Sequence, residues 1–389
     1  MKLPFSPSLA IISAALACMI AAQPANAAHR PRYGGTLRVE ISAVVTSLDP
    51  AVAAADPQEA AAKAEIDALI YPSRNADGTF AGTPGSGAFR VNSFDVGKRL
   101  MLAANNDAPG GRPFADAIEI LMGRAAHDRL VDLELGKTDF AEIPSEESRK
   151  AAEAGVHLTL SQPDELLAVV FLAGRPAAQD ARIREALARS IDRSAIVNFI
   201  LQKTGEPAGG LLPQWSSGTA FLFFAAADPA SAKELWQQIA GSPRLVLGYD
   251  SADPLQQSVA ERIVVNAREA GMAWTAQPVT SAARVQTSAD MDARLIRLRM
   301  PSDSARVTLA KFIQALAPVA SIDSSAIADS AGAETIYNRE RDIVQSFQVI
   351  PLVYLPQVYG LSAKVRDWKA PSPGVPWPLA DVWLEESAP

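Results

Sequence analysis

The stretch Gly85–Asn105, "GSGAFRVNSFDVGKRLMLAAN", decides the fold, because its glycines admit two incompatible readings. One is a loop that cradles a phosphate; the other is a β-hairpin in a scaffold. A dinucleotide loop needs G-x-G-x-x-G with a helix after it. Gly85 and Gly87 are followed by Arg90 where the third glycine belongs, and the residues beyond alternate with period two. A Walker loop needs a glycine five residues before a Gly-Lys-Ser/Thr triplet. Gly97–Lys98 is followed by Arg99 and has Asn92 in the glycine's place, while Gly136–Lys137–Thr138 has Val131 there. The hairpin fits. Phe89, Val91 and Ser93 alternate with Arg90 and Asn92, Asp95–Lys98 supplies a turn with Gly97 for positive φ, and Leu100 and Leu102 continue on the return strand.

Upstream, Gly34–Ala43 alternates as a strand, and residues 56–71 form a helix with Asp56 as its cap and Pro57 in its first position. Downstream, the pattern predicts strands at 117–122, 140–143, 156–160 and 166–172, and helices at 126–135 and 146–154. From Asp180 the texture is more helical, with helices starting at Asp180, Asp192 and Asp228. Arg244–Val279 reads strand, helix, strand, a βαβ unit opened by Asp253–Pro254 and closed by Gly271. A strand around 293–299, a helix over 334–346 and two proline-broken runs in Val349–Ala363 follow. Prolines in those runs suit edge or crossing strands. The Pro-rich tail with its two Trp residues is too apolar to stay free and is expected to pack on the core.

The chain has 389 residues, 48% of them apolar, enough for two lobes or one large α/β unit. Its start has Lys2, an apolar run from Leu9 to Ala22 and then Ala25-Asn26-Ala27, the order of a secretory leader cleaved after Ala27. That run is shorter than the ~20 residues a membrane span needs. Cys18, the sole cysteine, lies inside it, and Leu16 stands one place late for a lipoprotein signal. The exported chain is therefore expected without a thiol or a disulfide. The formal charge of −7 becomes −8 once Lys2 leaves with the leader, which with no Lys/Arg cluster argues against nucleic acid.

Signals for chemistry are thin. His29, His127 and His157 have no second histidine or cysteine at metal-ligand spacing, and no G-x-S-x-G occurs. The acidic pairs Glu146–Glu147 and Glu385–Glu386 read as solvated faces. No cofactor or metal is expected, and the chain reads as a binder and not an enzyme.

The order of segments resembles the family 5 extracellular solute-binding proteins, the dipeptide- and oligopeptide-binding proteins of ABC importers. The motifs are "YGGTLRVEISAVVTSLDPA", "AEIDALIYPSRNADGTF", the opening hairpin with "NNDAPGGRPFADAIEI", "LELGKTDFAEIP", "DARIREALARSIDRSAIV", "VIPLVYLPQVYGLSAKVRDW" and "PLADVWL", running from Tyr33 to Leu384. The resemblance implies an α/β, two-lobe periplasmic binding protein fold of type II, with mixed sheets and helices on both faces. Lobe I would comprise 28–172 and 347–389, and lobe II 173–346, with a solute or peptide bound between them and a membrane permease as partner. The protein would be periplasmic and monomeric. Only Gly82-Thr83-Pro84 stands where the family carries a small extra subdomain, so that subdomain is expected to be missing. The second-lobe segment around Asp290, Asp292 and Asp303 lacks the family's aromatic, Asp-rich run, so the usual anchor for a peptide amine does not transfer. Tyr354, in "IPLVYLP", is similar in place to a family tyrosine near the cleft. Trp215 and Tyr249 join it as candidates because they fall at helix and strand ends, where α/β ligand sites form. The alternatives are a degenerate relative that binds without transporting and, from another class, a periplasmic hydrolase.

Overall fold

A computed structural model describes residues 30–74, 80–81, 85–218, 223, 226–280 and 291–385. The proposed leader 1–27 and the 82–84 junction lie outside the described residues. Tyr33–Pro389 forms a compact unit of its own. Its main strands are β1 (Thr36–Glu40), β2 (Phe89–Asp95), β3 (Arg99–Ala104), β4 (Ala117–Leu121), β5 (Phe140–Ile143), β6 (His157–Phe171), β7 (Glu206–Pro207), β8 (Arg244–Asp250), β9 (Ala273–Val279), β10 (Ala293–Arg299) and β11 (Val349–Leu361). The main helices are α1 (Pro57–Ile70), α2 (Ala126–Glu134), α3 (Ala181–Ser190), α4 (Pro229–Gln237), α5 (Pro254–Glu269), α6 (Ala305–Leu316) and α7 (Ala333–Gln345).

The opening stretch is the hairpin β2–β3. Gly97 sits at φ 70° in its turn, and Lys98 N–H donates to Asp95 O at 3.0 Å. The helix caps read from sequence are present: Asp56, Asp192, Asp228 and Asp253 each accept a backbone N–H from the first turn that follows, and Asp180, not singled out as a cap from sequence, does the same. The expected helix over 192–201 is instead one turn, Arg193–Ala195, running into a π-helix, Ile196–Ile200.

All eleven strands join one mixed sheet in the order β9-β8-β10-β6-β11-β5-β1-β4-β3-β2, with β7 added beside β11. β5-β1-β4 are parallel, and so are β9-β8-β10. The two parallel sets are bridged by the long antiparallel pair β6 and β11. The two runs expected at 156–160 and 166–172 are one strand, and so are the two in Val349–Ala363. The reason is local: Pro163 stands opposite Pro356 in the register, so neither strand has to supply an N–H there. The other irregularities are absorbed by register shifts next to Pro351 and Pro356.

The cores follow this division. Leu37, Val39, Phe89, Leu100, Ile118 and Phe140 pack with the C-terminal Trp368, Trp377 and Val382, as expected of the tail. Leu167, Val169 and Phe171 pack with α3, α4 and α5 on one face of the sheet. Leu166, Ala168 and Val170 pack with α6 and α7 on the other, an alternation set by the two-residue period of a strand.

Candidate functional site

The register places the carboxyl ends of both parallel sets at the middle of the β6–β11 bridge. Ile143, the last residue of β5, lies opposite Val358; Arg299, the last of β10, lies opposite Glu165. Loops leaving strand carboxyl ends are where open α/β sheets form ligand crevices. Here two such ends face one another across Pro163–Glu165 and Leu355–Gln357.

Charged side chains gather at that place. Arg297 and Arg299 project from β10 on the same side by strand alternation. Arg297 Nε lies 2.7 Å from Asp253 Oδ2, its Nη2 donates to Asp253 Oδ1 at 3.1 Å, and its Nη1 donates to Glu165 Oε2 at 3.3 Å. Asp253 thus does two jobs, since its Oδ1 also caps α5 by accepting Gln256 N–H at 3.1 Å. Arg299 Nε lies 3.8 Å from Asp164 Oδ2, whose other oxygen accepts Gln357 Nε2 at 3.1 Å.

Electrostatics bind these groups into one network. Burial opposes the charge of Arg297, yet Glu165, Asp253 and Glu146 outweigh it and hold the guanidinium pKa well above its ordinary value. Burial opposes Arg299 too, and Glu142, Asp164, Tyr359 and Glu165 raise it. Asp164, 4% exposed, is pushed up to about 6 by burial, with Arg299 and the Gln357 hydrogen bond pulling the other way. Glu146 is raised, chiefly by burial, with Arg297 opposing. Glu146 is therefore not the solvated face that its sequence suggested: it is a half-buried group within the field of Arg297 and Asp253. Glu142 and Glu146 come from β5 and the turn after it, whereas Arg297, Arg299 and Asp253 come from the second half of the fold.

Of the sequence candidates, Trp215 lies on a short helix, Gln214–Ser217, and donates Nε1–H to Pro163 O at 3.0 Å, one residue from Asp164. Tyr354 is 7% exposed, and its hydroxyl lies 2.8 Å from Gly210 O and 2.9 Å from Leu212 O, so it reaches the loop that precedes Trp215. Tyr249 is half-buried at the end of β8, against the core on the opposite face of the sheet. The structure thus brings Trp215 and Tyr354 together and leaves Tyr249 apart. A cavity of about 400 Å³ adjoins the bridge between Thr159–Gln162 and Trp368–Ser372, and none of the three lines it. Asp292 is 6% exposed and structural, accepting Val246 N–H at 2.9 Å beside Arg175 at 3.5 Å.

Arg297, Arg299, Asp164 and Glu165 were passed over in the sequence. The signal for them was an Arg-x-Arg at the end of an alternating strand and an acidic pair opening an apolar one. Among the described residues, no group of three or more His, Cys, Asp or Glu side chains is placed to hold a metal ion, and no helix is long and apolar enough to cross a membrane.

Residues 35–307 match the family model for bacterial extracellular solute-binding proteins, family 5 Middle. The chain is similar to the probable D,D-dipeptide-binding periplasmic protein DdpA of Escherichia coli, 26% identical over 184 residues, 46% of this chain and 35% of that protein. The chain thus matches about a third of that relative's length. Among solved structures it resembles the ABC transporter substrate-binding protein CtaP of Listeria monocytogenes, with a TM-score of 0.74 at 16% identity, covering 91% of this chain and 100% of the other. It also resembles the oligopeptide-binding protein AppA of Bacillus subtilis in complex with a nonapeptide, with a TM-score of 0.67 at 13% identity, covering 92% and 100%. The fold is that of the two-lobe periplasmic binding proteins.

Proposed function

The chain belongs to the family 5 bacterial extracellular solute-binding proteins, and from that premise we propose that it is the exported, periplasmic solute-binding component of an ABC importer. Its ligand is a peptide or a small solute of similar polarity, held at the β6–β11 bridge and passed to a membrane permease. The work is binding and release, with no covalent step. The leader ends at Ala27, and the mature chain acts as a monomer away from nucleic acid.

The observation that carries this reading is the meeting of the two strand carboxyl ends over the facing prolines. Lobe I, 28–172 with 347–389, and lobe II, 173–346, meet along β6 and β11, which belong to lobe I by these bounds but pack against the helices of lobe II over Leu166–Phe171 and Val349–Leu355. The Pro163–Pro356 pair is the point at which those strands flex, because the ladder has no N–H from either residue there. Glu142 and Glu146 from one lobe and Arg297, Arg299 and Asp253 from the other line the cleft, with Trp215 and Tyr354 at its edge and Tyr249 beside the end of β8. Paired charges in a partly dry cleft suit a ligand with both an ammonium and a carboxylate, which exchanges its hydration for these partners.

The test is a thermal-shift screen of residues 28–389 against peptides and small metabolites. A solute at a hundred times its Kd adds ~2.7 kcal/mol of stability. A shift with peptides that Arg297→Ala removes supports the reading. No shift with any compound refutes it, and product formation seen by mass spectrometry would point to an enzyme.

A further inference from the structure

The loop that delivers Trp215 to the bridge has no regular structure over Gly209–Leu212, yet a single buried acid fixes it. Glu340, on α7 and 1% exposed, accepts Leu211 N–H at 2.6 Å and Leu212 N–H at 2.9 Å, both at Oε1. The Tyr354 hydroxyl holds the carbonyl side of the same loop, at Gly210 O and Leu212 O. Gly210 is required by this packing, since a Cβ there would lie 2.6 Å from Glu340 Oε1. The side chain is buried, and among the described residues no cation acts on it.

An acid is the puzzle. A glutamine at 340 would offer the same single acceptor to both N–H groups without burying an ionisable group. We propose that Glu340 is a positioning residue for the ligand site, which docks the 209–215 loop when neutral and loosens it when ionised. The proposal rests on the reading that Trp215 edges the ligand cleft. Its physical basis is linkage: burial holds Glu340 up to about 7 in the docked loop, against the two backbone donors that pull it down, whereas a hydrated glutamate titrates near 4.5. Raising the pH through 7 therefore weakens docking relative to the undocked loop.

The surroundings leave Glu340 to titrate with little help. From β11 it faces the Tyr354 phenol, itself pushed up mainly by burial and then by Glu340; Glu206 of β7 acts on that phenol more weakly. On α7, Arg339 is ion-paired with Asp323, Arg341 pairs with Asp342 at 3.1 Å, and Tyr337 lies under Arg341. On α6, Arg306 pairs with Asp329 at 2.8 Å and Lys311 donates to Gln314 at 3.3 Å.

The test needs no ligand, so it stands or falls apart from the solute screen. Hydrogen–deuterium exchange of the Leu211 and Leu212 amides is measured at pH 6 and pH 8, corrected for intrinsic exchange. In the unaltered protein, protection is expected to fall roughly tenfold from pH 6 to pH 8, because the proton's effect acts over the one unit above about 7 and not over both. Glu340→Gln keeps protection and makes it independent of pH. Glu340→Ala lowers protection at both values. Equal protection of the unaltered protein at pH 6 and 8, or a Glu340→Gln profile that still falls with pH, overturns the proposal.

Discussion

Phe140 and Glu142 stand two residues apart on β5, point to the same side of the sheet, and belong to opposite environments. Phe140 is 1% exposed and meets Trp368 at 4.6 Å, Trp377 at 5.0 Å and Tyr359 at 5.6 Å between ring centroids. Glu142 lies within the field of Arg299 and Tyr359 at the solvent-reached bridge. The step from a dry aromatic nest to a charged rim within one strand separates what keeps the fold from what the fold presents. Area buried in the nest is direct stabilisation, whereas half-solvated ion pairs contribute little and are free to exchange partners.

The largest effect should therefore come from the nest. Trp377→Ala is expected to lower unfolding stability by ~3–5 kcal/mol, as large aromatic truncations in packed cores do. Denaturant unfolding checks it. A loss below about 1 kcal/mol would mean that the tail is an ornament and would break the contrast.

Next comes pH. Glu340 at about 7, Asp164 at about 6 and Asp67 at about 6 are all raised chiefly by burial. Each folded-state pKa lies above the unfolded value, so each group's contribution is present in full below the unfolded pKa and is lost as pH rises through the folded one. Stability should accordingly rise between pH 8 and pH 5 by roughly 2 kcal/mol or more, since each tenfold change in proton affinity is worth about 1.4 kcal/mol. Glu59, Asp180, Asp228 and Asp323 are lowered by hydrogen bonds and by Arg182, Arg189 and Arg339, and they reverse the trend only at more acid pH. Thermal melts across this range test it, and Asp164→Asn should remove the share that belongs to the bridge.

Arg297→Met is smaller for stability and decisive for function. Its side chain is 31% exposed, so solvent screens the pair with Asp253, and a loss of about 1 kcal/mol is expected. The solute-induced thermal shift should vanish. Full retention of that shift would move the ligand away from the bridge.

The same contrast explains what the sequence made legible. Alternation on the return strand, at Leu100 and Leu102, and the capping aspartates with proline after them are local rules, and that strand and those helix starts obey them; Val91, exposed beside a register shift with Ser93, does not. The nest was half legible, because a tail with Trp377 and Trp383 has to pack somewhere. The charged bridge was not legible: Glu142, Glu146, Asp164, Arg297 and Arg299 are separated by up to 157 positions, and only the sheet order puts β5 and β10 at the two ends of one crossing. Their residue types, read singly, look like ordinary surface charges. The prolines misled for a related reason. In isolation Pro163 and Pro356 break strands; placed opposite each other they leave no donor wanting a partner.

That pairing gives the last and smallest prediction. Pro163→Ala restores one N–H at the pivot and removes one fixed φ. The two changes act in opposite senses on stability, so the net effect should stay within about 1 kcal/mol. The motion is affected more than the fold. An added donor facing the bridge can close a ladder hydrogen bond with β11, and a continuous ladder resists bending more than an interrupted one. Small-angle scattering should then show a smaller difference in radius of gyration between solute-free and solute-bound protein in Pro163→Ala than in the unaltered chain. An unchanged difference would place the pivot elsewhere along β6 and β11, and would leave the facing prolines as a packing feature of the bridge alone.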